Sequence, residues 1–271
     1  MAEIALRGLR KVYGTEVPTV ALHGVDLEIG EGEYMAVIGR SGSGKSTLLN
    51  IIGALDRPTA GEMRYAGRDI FVRDDDGLAS FRNETLGFIF QFHYLLPEFN
   101  ALENVLLPYR IRHGRLDPEL VKRGKELVER VGVGARMYSR ANNLSGGEQQ
   151  RIAIARSLIN RPRIILADEP TGNLDSDTSI SVQALLREIN QELRTTFVIV
   201  THDRHIAAGC DRVVEIDDGR ITRDFRPDEF GEDENWRQLA PCNCRERVRG
   251  FASPAFPQEG RLPTVLSESK S

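Results

Sequence analysis

The chain has 271 residues, enough for one large domain or two modest ones with an ample core. Hydrophobic residues make up 40%, charged residues 28%, and the net charge is -4 with neither sign gathered into a long block, which excludes an electrostatic binder of polyanions. No apolar run approaches the roughly 18 residues that cross a bilayer, Met1-Ala2-Glu3 begins no signal peptide, and Cys210, Cys242 and Cys244 are too few for a disulfide framework, so a soluble protein of a reducing cytoplasm is expected.

In chain order, Ile4–Arg7 and Val25–Ile29 alternate apolar and polar residues, as half-buried strands do. Tyr34–Ile38 is a short apolar run, the pattern of a strand buried on both faces. It feeds a glycine-rich loop, after which Leu48–Ile52 continues as a helix. From about Phe92 to Asn160 the periodicity is mostly helical, clearest at Ala101–Leu107 and Asp117–Val131. That stretch, about residues 92–160, reads as a helical subdomain inserted into an α/β domain. Ile164–Ala167 and Phe197–Val200 are two more buried strands, and the helical Asp177–Arg194 between them completes a β-α-β unit. Val213–Ile216 and Arg220–Thr222 flank Asp217-Asp218-Gly219, a hairpin turn. After about Phe225 the composition shifts to Pro, Gly, Ser and Glu with little periodicity. Residues 1–225 are therefore expected to form the domain and 226–271 a flexible tail anchored at Trp236, in which Cys242-Asn243-Cys244 lacks the further ligands of a metal site.

Gly39-Arg40-Ser41-Gly42-Ser43-Gly44-Lys45-Ser46-Thr47 fits the phosphate-loop pattern in its proper context, a buried strand before and a helix after. The glycines let backbone N–H groups turn inward around phosphate oxygens, and the helix N-terminus adds favourable partial charge. Lys45 reaches the β- and γ-phosphates, and the Ser46 hydroxyl is a hard oxygen ligand for Mg2+. Ile164–Ala167 ends in Asp168-Glu169, two carboxylates at the strand edge where open parallel sheets bind ligands. Asp168 would hold Mg2+ and Glu169 would act as general base on the attacking water. A lone histidine after a strand is ordinarily a surface or capping residue. His202, however, lies one β-α-β unit beyond Glu169 at the same edge, which favours contact with the γ-phosphate. Gln91, after the apolar run Leu86–Phe90, is an uncharged oxygen ligand for Mg2+ at the junction with the helical insert. A second, unlike glycine-rich segment, Leu144-Ser145-Gly146-Gly147-Glu148-Gln149-Gln150, also enters an apolar-periodic stretch, and each segment occurs once. A nucleotide held between two surfaces follows.

Together these residues resemble the ATPase subunit of ATP-binding cassette (ABC) transporters, over about residues 3–224. In that family's terms Gly39–Thr47 matches Walker A, Gln91 the Q-loop, Leu144–Gln149 the signature, Ile164–Glu169 Walker B, Asn173-Leu174-Asp175 the D-loop and His202 the switch histidine. Tyr13, in Lys11-Val12-Tyr13-Gly14, resembles the aromatic that stacks on adenine. The resemblance implies a P-loop NTPase fold of ABC type: an α/β mixed-sheet core, an antiparallel β subdomain and an inserted helical subdomain. It implies hydrolysis of ATP with Mg2+. It also implies that Ser145, Gly146 and Gly147, with Glu148 beside them, complete the γ-phosphate shell of an opposite copy, so that two chains close head-to-tail around two ATP. Leu86–Val105 is similar to the corresponding stretch of the LolD/MacB-type group. Gly53–Thr59 and Asp168–Asp175 suit that group too. This implies a peripheral protein at the cytoplasmic face of the inner membrane, docked through Phe92, Tyr94, Leu95, Leu96 and Phe99 on LolC/LolE-like integral membrane subunits and driving lipoprotein release. A MacB-type efflux or peptide exporter is the alternative, and a regulatory ABC ATPase a more distant one. A DNA-acting ABC ATPase would need a long coiled coil between Walker A and the signature, for which about a hundred residues leave no room.

Overall fold

The computed structural model describes residues 2–14 and 16–227; the readings made for Trp236 and Cys242-Asn243-Cys244 lie outside the described residues. Two long strands, β1 (Ala2–Tyr13) and β2 (Thr19–Gly30), open the chain and pair antiparallel. β3 (Tyr34–Ile38) leads through the glycine loop into α1 (Lys45–Ile52). β4 (Ala60–Tyr65) and β5 (Arg68–Asp69) return to pair beside β1, giving an antiparallel sheet in the order β2-β1-β4-β5.

α2 (Asp75–Thr85) runs directly into β6 (Leu86–Phe90), and then come the helices α3 (Ala101–His113), α4 (Pro118–Arg130) and α5 (Gly146–Leu158). Each of these three helices begins at a side-chain cap: Asn100, Asp117 and Ser145 accept from backbone N–H groups of the first turn. β7 (Ile164–Asp168), α6 (Ser176–Leu193), β8 (Thr196–Val200), α7 (Arg204–Ala208), β9 (Arg212–Asp217) and β10 (Arg220–Phe225) complete the described chain. The last two strands are joined by Asp218-Gly219, both at positive φ, the two-residue turn whose twist matches a hairpin.

The second sheet has the order β10-β9-β3-β8-β7-β6 and is parallel except for β10. Its central strands are apolar at nearly every position because both faces are covered. Tyr34, Ala36, Phe197, Ile199, Ile165 and Ala167 face a core built with α3, α4, α5 and α6. Met35, Val37, Val198, Val200, Ile164 and Leu166 face the other core, with α1 and the antiparallel sheet. Arg130, buried at the end of α4, is paired by Glu188 and by Glu192 (2.7 Å), which ties α4 to α6.

Candidate functional site

The parallel register aligns the chemistry. Val37 pairs with Val200, Val200 with Asp168, and Asp168 with Phe90, so four strands present one transverse rung at their C-terminal ends. The residues that leave this rung are Gly39 and its loop after β3, Thr201-His202 after β8, Glu169 after β7 and Gln91 after β6. Neighbouring strands lie about 4.8 Å apart, so these groups stand in a row at the edge where such sheets bind ligands.

The loop at one end of the row is shaped by close approach. Gly39 has φ 153°, and a Cβ there would fall 2.1 Å from the Ile216 carbonyl oxygen, so no side chain fits. Arg40, Ser41 and Gly42 form the exposed rim. The Ser43 hydroxyl is buried and finds no hydrogen-bond partner among the described residues. Gly44 is the left-handed N-cap of α1. The Lys45 ammonium, buried, donates to the carbonyls of Gly39 (2.8 Å) and Arg40 (2.7 Å). Burial lowers its pKa, and attraction from Glu169 and then Asp168 works the other way. Ser46 is exposed and Thr47 half-buried in the first turn of the helix. A cradle of glycine backbone, an unsatisfied buried hydroxyl and a desolvated ammonium suits phosphate oxygens.

Glu169 is held on three sides. Thr201 Oγ1 donates to one carboxylate oxygen (3.1 Å), while the His202 main-chain N–H (2.9 Å) and ring Nδ1 (2.7 Å) meet the other. Its backbone is left-handed, φ 45°, and its N–H donates to the Val200 carbonyl (2.9 Å). The Asp168 carboxyl is pushed above the usual carboxylate range, first by burial and then by the Glu169 charge, with Lys45 opposing. The Ser46 hydroxyl, Asp168 carboxylate and Gln91 carboxamide all carry hard oxygens, donor chemistry that would suit Mg2+.

Gln91 points along the row toward the segment after Glu169. Its Nε2 donates to Asn173 Oδ1 (3.2 Å), and Asn173 Nδ2 donates back to the Gln91 carbonyl (3.1 Å). The second glycine-rich segment makes a different set of contacts. Ser145 and Glu148 form a reciprocal capping box at the start of α5, with the Ser145 N–H donating to Glu148 at 2.8 Å. Gly146 faces Leu174, and Gly147 packs against Thr178. Asp175 caps α6, accepting from Thr178 N–H (2.9 Å) and Oγ1 (2.7 Å), bonds that hold its carboxyl below the usual range. Tyr13 is exposed at the end of β1; its hydroxyl donates to Asp56 (2.9 Å), and Lys11 lies 4.8 Å from the ring centre while also pairing with Asp56 (2.5 Å). Burial raises the Tyr13 phenol above its usual value.

Sequence reasoning missed several of these supports. Thr201, fully buried, secures Glu169, and its signal was only its place between strand and histidine. Gln150, nearly fully buried, donates to the Pro170 carbonyl (2.5 Å) and so links α5 to the end of β7. Arg156 of α5 donates to the carbonyls of His93 and Tyr94 (2.7 Å each), fixing the loop after Gln91 where Tyr94 is left-handed. None of these bonds has a local sequence pattern.

The chain is 55% identical over 222 residues to the lipoprotein-releasing system ATP-binding protein LolD of Anaeromyxobacter dehalogenans, covering 82% of this chain and 93% of that one. It is 49% identical to LolD 1 of Rhodopseudomonas palustris over 224 residues, 82% and 99% of the two chains. Among solved structures, a dimeric ATP-binding cassette in a post-hydrolysis state with ADP and Pi superposes with a TM-score of 0.76 at 42% identity, covering 82% of this chain and 98% of that one. With the ABC transporter family model matching residues 22–172 as well, the chain belongs to the ABC transporter family of ATP-binding cassettes.

Proposed function

We propose that this chain is the ATP-hydrolysing subunit of an ABC transporter that releases lipoproteins from the inner membrane toward the outer membrane. It works as a pair at the cytoplasmic face, beneath integral membrane subunits of the LolC and LolE kind. The observation that carries the hydrolytic reading is Glu169, oriented by Thr201 and His202 on the same rung as the phosphate loop. The lipoprotein reading rests on likeness to LolD proteins along nearly their whole length.

In this reading Gly39–Thr47 wraps the ATP phosphates, Lys45 leaves its loop carbonyls for the β- and γ-phosphate oxygens, and Tyr13 stacks on adenine. Ser46, Asp168 and Gln91 would hold Mg2+, which would supply positive charge to the phosphate groups. Glu169 takes the proton of the attacking water as its oxygen bonds to the γ-phosphorus, and the bond from that phosphorus to the leaving ADP oxygen breaks. His202 orients Glu169 and contacts the γ-phosphate. The opposite copy adds Ser145, Gly146, Gly147 and Glu148 at the N-terminus of its α5, with Asp175 at the seam, which excludes water and completes the site. Residues 1–225 form this ATPase unit, with residues 92–160 its helical subdomain. Phe92, Tyr94 and Leu96, exposed on the loop that Arg156 braces, form the surface for the membrane subunits. Among the described residues no helix is long and apolar enough to cross a membrane.

Depletion of this chain in its own cell tests the reading. Lipoproteins are expected to stay at the inner membrane. Normal arrival at the outer membrane, with loss of macrolide or peptide export instead, would replace it with the efflux alternative.

A further inference from the structure

Gln91 and Asn173 exchange hydrogen bonds across 82 positions of sequence, and the exchange has a direction. The main-chain oxygen of Gln91 only accepts, so the Asn173 atom 3.1 Å from it must be the donor Nδ2. Asn173 Oδ1 then faces the Gln91 side chain at 3.2 Å and also only accepts, so the Gln91 atom there must be Nε2. Turning the Gln91 carboxamide over would set two acceptor oxygens against each other. Its own oxygen, Oε1, is thereby kept on the side of the amide away from Asn173. Gly172 makes the approach possible, because a Cβ at that position would lie 2.9 Å from Gln91 Nε2 and 3.3 Å from its Cδ.

We infer that Asn173 is a positioning residue for the hydrolytic site: its two-bond exchange holds Gln91 in the one amide orientation that offers Oε1, a hard oxygen, to the cation at the nucleotide. The inference rests on the reading of Gln91 as a Mg2+ ligand given above. Asn173 touches neither nucleotide nor cation; it selects which end of Gln91 does. Because Asn173 adjoins Leu174 and Asp175, the same bond makes the Gln91 orientation sensitive to any movement of that segment.

The full-length chain is titrated with a fluorescent ATP analogue in excess EDTA and again in saturating Mg2+, and the gain in affinity due to Mg2+ is the readout. Asn173→Ala is expected to lose about threefold to tenfold of that gain, the scale of one neutral hydrogen bond, with affinity in EDTA unchanged. Asn173→Ser, too short to span both partners, is expected to do the same and serves if the alanine variant folds poorly. Gln91→Ala should lose as much, and the double variant no more than Gln91→Ala alone. A full Mg2+ gain in Asn173→Ala and Asn173→Ser while Gln91→Ala loses it would overturn the inference, as would losses that add in the double variant. A full gain in Gln91→Ala would instead overturn the reading of Gln91 itself, and the inference with it.

Discussion

Asp168 and Glu169 are neighbours in sequence yet are treated differently by the fold. Glu169 receives three hydrogen-bond contacts, whereas Asp168 is desolvated beside the Glu169 charge and has its pKa raised, with only Lys45 in opposition. A carboxyl raised in the folded state binds its proton more readily there than in the unfolded chain. Stability is therefore lost as pH rises above about 4, the ordinary carboxylate value, through the higher folded value, so a penalty is present at pH 7. Asp168→Asn removes that penalty. It is expected to raise Tm at pH 7, with no gain once the pH falls below the unfolded value, and to weaken Mg2+-dependent nucleotide binding. Thermal unfolding across pH checks this; an unchanged or lower Tm at pH 7 would refute it. The two carboxylates were legible in sequence at a strand end. Their unequal surroundings were not, because Thr201 and Lys45 reach them through strand pairing rather than through local spacing.

The elements show the same division. Strands buried on both faces and the hairpin turn could be read directly, since an unbroken apolar run and Asp-Gly are local signals. α2 could not: of its eleven residues only Leu78 and Phe81 are buried, too few to set a helical period. α3 was legible to Leu107, where Pro108 argues for a stop, but the helix continues to His113. The Pro108 carbonyl accepts from Asn83 Nδ2 (2.8 Å), which ties that part of the helix to α2. The starts of α5 and α6 meet so tightly that a Cβ at Gly147 would lie 2.6 Å from the Thr178 methyl. Gly147→Ala is expected to push the two helix starts apart and cut ATP turnover at least tenfold, on the order of 1–3 kcal/mol of overpacking. Thr178→Ser keeps the hydroxyl that bonds Asp175 and deletes the methyl, so the Gly147→Ala/Thr178→Ser pair should recover to within about twofold of Thr178→Ser alone, again because about 1 kcal/mol of clash is gone. Steady-state ATPase rates decide, and no recovery would mean that Gly147 matters for another reason.

At the scale of the whole molecule, Gly146 is informative because it has room. A Cβ there would meet nothing nearer than Leu174 Cδ2 at 3.9 Å, so the single chain tolerates a side chain that a closed pair would not. Gly146→Asp is expected to abolish ATP turnover while leaving nucleotide binding to the single chain within about twofold of wild type, a difference below 1 kcal/mol. Retained turnover would sink the head-to-tail pair. The motifs, their order and the α/β class were all determined by sequence alone, because each rests on residue types at short, local spacings. Tertiary structure decided what those motifs face. Parallel pairing of β3, β8, β7 and β6 puts the phosphate loop, His202, Glu169 and Gln91 on one rung. The exchange between Gln91 and Asn173 depends on that pairing and on a glycine beside it. Such contacts join residues many tens of positions apart, and only the register of a folded sheet brings them within hydrogen-bond reach.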